Sequence, residues 1–143
     1  MPATDPYRIV LADDHVILRQ GLKMILEQRH DLRVIGEAGD GLDLLALLDT
    51  ATPHMVILDI SMPKLRGIEA TRRIKRIYPQ VKVLILTMHK SQEYLDHALN
   101  AGADGYLLKE DANTELFSAI ERIRQGEAYI SSLLSGKLEG KRS

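Results

Sequence analysis

The sequence predicts a doubly wound α/β fold, a five-stranded parallel sheet with helices on both faces. Three observations predict it. Five short aliphatic or β-branched runs alternate with five longer segments of helical period. Strict alternation of this kind gives a parallel sheet packed between helices. The third and fourth runs are almost wholly apolar, as strands covered on both sides must be. The chain has 143 residues, 45% hydrophobic and 27% charged, which suits one globular domain.

The elements follow in order. Residues 1–6 read as a disordered lead-in. "YRIVLA" (7–12) is the first strand, and Leu18, Leu22, Ile25 and Leu26 after it follow helical spacing. "LRVIGEA" (32–38) mixes Arg33 and Glu37 with apolar residues, which predicts an edge strand. Leu44, Leu45 and Leu48 mark the second helix. "HMVILD" (54–59) is the third strand, and the helix after it carries Ala70, Ile74 and Ile77 inward and stops before Pro79. "KVLILT" (82–87) is the fourth strand. Ser91 caps the next helix, Leu95, Ala98 and Leu99 face inward, and Gly102 suits its C-terminal stop. "DGYLLK" (104–109) is the fifth strand, followed by a helix with Leu116, Ile120 and Ile123 and a closing Gly126. The domain is therefore expected over 7–126. Residues 127–143, small, charged and Gly/Ser-containing, read as a linker or tail.

Bulk properties remove several function classes. There is no cysteine, so disulfides, thiolate metal sites and cysteine nucleophiles are excluded; the composition fits a reducing, cytoplasmic setting. A net charge of −1 gives no global pull toward nucleic acid or a membrane. No apolar run approaches the roughly 20 residues of a membrane span. "TRRIKRIYP" (71–79) gathers four basic residues, but Ala70, Ile74 and Ile77 bury its other side and acids elsewhere balance the charge, so it reads as a solvated helix face. The glycines of "GEAGDG" stand outside the first strand-to-helix turn, so no dinucleotide fingerprint is present.

The strand ends carry the chemistry. Strand one ends in Asp13 and Asp14, strand three in Asp59, strand four in Thr87 and strand five in Lys109. In open α/β sheets ligands bind outside the carboxyl ends of the strands, where the strand order reverses. Strands one and three side by side create that reversal and bring the three aspartates together. The order becomes 2-1-3-4-5, the flavodoxin-like (βα)5 arrangement. Clustered carboxylates repel and need a hard counter-cation, for which Mg2+ is best suited. A carboxylate nucleophile, a metal, an ammonium and a hydroxyl together are apparatus for placing a phosphoryl group on an aspartate. Asp59 ends the innermost apolar run and is the expected acceptor.

Five short motifs stand at these ends: "LADDH" (11–15), "ILDISMP" (57–63) followed by "GIEATRRI" (67–74), "LTMH" (86–89) and "GADGYLLK" (102–109). With them the chain resembles the receiver domain of bacterial two-component response regulators, over about residues 7–125. "LADDHVILRQGL", "GEAGDG" and "GADGYLLKEDA" are most similar to the NarL/FixJ (LuxR-type) subfamily. The resemblance implies that Asp59 takes a phosphoryl group from the phosphohistidine of a sensor histidine kinase. It implies Mg2+ on Asp14, Asp59 and the carbonyl of Ser61, with Asp13 acting through water. Lys109 would contact the phosphoryl oxygens, Thr87 would hydrogen-bond them, and Tyr106 would swing inward. The face of the fourth helix, fifth strand and fifth helix would then repack and control an output. A homodimer on phosphorylation is the implied assembly. DNA would be met only through an output domain, for which a chain ending at Ser143 has no room: either an excised receiver or a naturally short protein. The chain departs from many receivers in having Glu110, not proline, after Lys109.

Bland readings compete at several positions. Asp13 and Asp14 could cap the first helix, Lys109 could be a surface lysine, and Thr87 and Tyr106 could be ordinary strand residues. His15 and His89 are expected to be exposed beside the pocket, with His89 able to tune water access. The five histidines lack ligand spacing. Two other functions compete with the switch: a Mg2+ phosphatase turning over phosphate esters, and a docking module that no longer uses phosphate. Ser61 stands where a haloacid-dehalogenase-type phosphatase carries its general acid, which counts against turnover. The complete acid, threonine and lysine set counts against the docking module.

Overall fold

A computed structural model describes residues 5–134. Strands β1 (Tyr7–Ala12), β2 (Leu32–Ala38), β3 (Met55–Leu58), β4 (Lys82–Thr87) and β5 (Gly105–Leu108) alternate with helices α1 (Val16–Glu27), α2 (Gly41–Leu48), α3 (Gly67–Ile77), α4 (Gln92–Asn100) and α5 (Ala112–Arg124). A single 3-10 turn, Lys109–Asp111, joins β5 to α5. All strand pairs are parallel, and the order is β2-β1-β3-β4-β5 with one further strand, β6 (Tyr129–Ile130), beside β5. β2 is the edge strand that its mixed composition predicts.

Side chains of a strand alternate between its two faces, so each strand feeds two cores. Ile9, Leu11, Met55, Ile57, Leu84, Leu86 and Leu107 pack on Leu22 and Leu26 of α1 and on Leu116, Ile120 and Ile123 of α5. Val10, Ala12, Val56, Leu58, Val83, Ile85, Tyr106 and Leu108 face α2, α3 and α4 through Leu44, Leu48, Ala70, Ile74, Leu95 and Ala98. All four residues of β3 are buried, which is why its sequence is continuously apolar. The α4 stop at Gly102 has φ +102°, a left-handed conformation that glycine adopts without steric cost.

The structure departs from the sequence reading in three places. The sheet has six strands, because part of the expected linker, 127–134, packs on the domain. Tyr129 pairs with Gly105 and Ile130 with Tyr106, and Leu134 is wholly buried in the α4-side core. Two residues of strand are too short to read from periodicity. Residues 1–4 of the lead-in and 135–143 of the tail lie outside the described residues. Ile77 is 59% exposed rather than inward. The stripe of α3 runs Ala70, Ile74, Tyr78 in steps of four, and half-buried Tyr78 packs on the core while its hydroxyl donates to Asp49 Oδ1 at 3.0 Å. Ile25 likewise sits at the rim of its helix's apolar stripe, 37% exposed.

Leu134 gives a direct test of the docked segment. Leu134→Ala is expected to lower stability in urea denaturation by about 2 to 3 kcal/mol, the low end for a buried leucine. An unchanged midpoint would mean that the segment contributes no packing.

Candidate functional site

The sheet register assembles the site. Ala12 of β1 pairs with Leu58 of β3, so the next residues, Asp13 and Asp59, emerge side by side. Asp59 N donates to Ala12 O at 3.1 Å, which extends that pairing by one bond. Thr87 pairs with Leu108, so Lys109 leaves β5 one residue beyond the Thr87 level. Asp59 and Lys109, expected at strand termini, fall just past them, where the backbone is free to turn into the loops.

Asp13 and Asp59 are buried, and Asp14 is exposed. Single ligand atoms of Asp13, Asp14, His15 and Asp59 all lie within 4.8 Å of one another. Lys109 Nζ sits 3.0 Å from Asp13 Oδ2 and 3.3 Å from Asp59 Oδ2. Three carboxylates against this ammonium leave an excess of negative charge in a partly desolvated place. That excess makes the cluster a fit for a hard cation with oxygen ligands. His15 Nδ1 is committed to Asp13 Oδ1 at 2.9 Å, and His15 N donates to the same oxygen at 2.9 Å. Asp13 Oδ1 thus closes the turn that leads into α1, while Oδ2 meets Lys109.

A cleft of about 190 Å3 opens over Asp59, lined by His15, Ser61, Thr87, Met88, His89 and Lys109. It is smaller than ordinary ligand pockets, so it takes a small group rather than a nucleotide. Thr87 is buried, and its hydroxyl accepts from His89 N at 3.3 Å. Tyr106 is fully buried, with its hydroxyl donating to His89 O at 2.7 Å. Burial, and then the charge of Asp59, raises the Tyr106 phenol well above its ordinary pKa, so it remains a neutral donor. Ser61 is exposed on the β3–α3 loop, and its Oγ meets His89 Nε2 at 2.8 Å. His15 is exposed as expected. His89 is not: it is half-buried, bonded to Ser61 and stacked on Tyr94 at 4.3 Å.

Two supports were not evident in the sequence. Arg19 on α1 donates from Nη1 to Asp13 O at 2.5 Å and from Nε to Glu37 at 3.0 Å, bracing the β1 end. Only its position in the first turn of the helix that follows the acidic pair hints at this. Gly67 starts α3 so close to the β3 end that an added Cβ would lie 2.2 Å from Asp59 O. A side chain there would displace Asp59 itself.

Fold and site define a small α/β domain with an acidic pocket at its topological switch point. The response regulator receiver domain family matches residues 9–121, and the chain belongs to that family. The chain is 42% identical to the transcriptional regulatory protein DegU of Brevibacillus brevis, over 86% of this chain and 52% of that protein. It spans about half the length of that relative. A LuxR-family two-component response regulator from Aurantimonas sp. is 36% identical, with a TM-score of 0.92 over 96% of this chain and 99% of that one. RcsB of Salmonella enterica serovar Typhimurium, bound to a promoter in the presence of the phosphomimetic BeF3-, is 31% identical, with a TM-score of 0.86 over 94% of this chain and 67% of that one. The chain is thus a two-component receiver of the NarL/FixJ type. Among the described residues no helix is long and apolar enough to cross a membrane.

The charge excess has a measurable consequence. Asp14 adds repulsion, and its one ion-pair contact among the described residues is with exposed His15 at 3.4 Å, so Asp14→Asn is expected to raise stability at low salt by about 0.5 kcal/mol. The gain should shrink as salt screens the cluster. A loss of stability at low salt would contradict the repulsion.

Proposed function

We propose that the chain is a phosphoacceptor switch in which Asp59 takes a phosphoryl group from the phosphohistidine of a sensor histidine kinase. A carboxylate oxygen of Asp59 forms the new O–P bond. The histidine N–P bond breaks, and its electron pair stays with the departing imidazole. The observation that carries this reading is the contact of Lys109 with Asp59 at the mouth of a small acidic cleft, in a chain of the receiver family. Lys109 offers a fixed ammonium to the incoming phosphoryl oxygens, and Thr87 offers a hydroxyl at the same rim. Asp13, Asp14 and Asp59, with the carbonyl of Ser61, would hold Mg2+. That ion supplies charge neutralisation for carboxylates and phosphoryl oxygens together.

The activity is directed at the chain itself: acceptance of the group and its slow hydrolysis. Ser61, held to His89, offers no general acid for repeated turnover. The added charge at Asp59 would bias the position of Thr87 and Tyr106 and so the face of α4, β5 and α5. An apolar groove between α1 and α5, lined by Ile17, Leu18, Leu22, Ile25, Leu116 and Phe117, is a surface on which a second copy would dock after phosphorylation. Control of transcription would act through a DNA-binding output domain, as the relatives' names support.

Phosphoramidate with Mg2+ is expected to add one phosphoryl group to the intact mass. Asp59→Asn is expected to abolish the gain, and chelation of Mg2+ to slow it strongly. Undiminished labelling of Asp59→Asn would refute the acceptor.

A further inference from the structure

The segment after α5 touches the turn that carries Lys109. Ser131 is completely buried. Its Oγ accepts from Leu108 N at 3.0 Å and donates to Asp111 Oδ2 at 2.6 Å, and its N donates to Tyr106 O at 2.8 Å. One side chain therefore fixes residues on both sides of Lys109. After the pairs Gly105 with Tyr129 and Tyr106 with Ile130, the serine hydroxyl takes the Leu108 amide. Asp111 stands at the N-cap of α5, yet its side chain makes no capping bond. Its carboxylate is used by Ser131 instead. One turn on, Glu115 accepts from Tyr129 OH and from Ser132 N and Oγ, which holds the segment against the start of α5.

Lys109 opens the 3-10 turn whose ends Ser131 ties together. Its ammonium must span to Asp13 and Asp59 from that turn, and a small rotation of the turn would carry it off both. Ser131 lies outside the stretch 9–121 matched by the family. We propose that Ser131 is a positioning residue for Lys109, so that the chain beyond the receiver core completes the phosphorylation pocket from behind. This rests on the reading of Asp59 as phosphoacceptor.

The test follows phosphoramidate labelling of the whole chain by intact mass in the presence of Mg2+. Ser131→Ala is expected to slow labelling about tenfold, the scale of a modest misplacement of a charged group. Ser131→Thr, which keeps the hydroxyl, should recover most of the rate. In a Lys109→Ala background, Ser131→Ala should have no further effect, because its action passes through the lysine. Asp111→Ala, at a half-buried position, should slow labelling in the same way and carries the test if Ser131→Ala does not fold. Wild-type speed in Ser131→Ala, or an equal loss without Lys109, overturns the role of Ser131 while Asp59-dependent labelling stands. Labelling that persists in Asp59→Asn overturns the acceptor assignment, and this inference with it.

Discussion

An ammonium held between two buried carboxylates is the constraint on which the rest of this structure depends. Lys109 reaches Asp13 and Asp59 at 3.0 and 3.3 Å from the opposite side of the sheet's midline. Burying two carboxylates without that partner would be costly. With it the cluster remains under-neutralised, because Asp14 contributes a further carboxylate. Such a site is stable enough to fold and still short of positive charge. That shortage is what makes it receptive to a cation and poised to exchange one set of charges for another.

The fold sets this geometry through pairing register rather than loop design. Ala12 opposite Leu58 and Thr87 opposite Leu108 decide which residues project at each strand end. A slip of one residue would send an aspartate toward the other face of the sheet. The apolar strands fix the register, since each alternates between two filled cores. Core packing and site geometry are therefore one requirement. Gly67 sharpens it, because α3 begins in contact with the Asp59 carbonyl.

Much of this was legible in the sequence. Alternating periods gave the layers, and acids at the ends of apolar runs marked Asp13, Asp14 and Asp59. Reversal of strand order then implied that they meet. What was hidden had a common cause: it depended on contacts between distant segments that leave no periodic trace. β6 spans two residues, Ser131 stands in a stretch of linker composition, and Arg19 looks like any surface arginine of an amphipathic helix. Ile77 misled because a three-residue step and a four-residue step both fit helical spacing, and packing chose Tyr78. His89 looked free because its partners, Ser61 and Tyr94, come from other elements.

The family relationship gives the site its context, and the docked segment 129–134 suggests how the pocket communicates. The bonds of Ser131 to Leu108 and Asp111 tie that segment to the turn from which Lys109 reaches the pocket. The most direct test of the central claim is a crystal structure grown with Mg2+ and beryllium fluoride. The account requires the fluoroberyllate on an Asp59 oxygen, the metal among Asp13, Asp14 and Asp59, and the Lys109 ammonium on a fluorine. Beryllium on another carboxylate, or a Lys109 side chain turned away from the group, would contradict it.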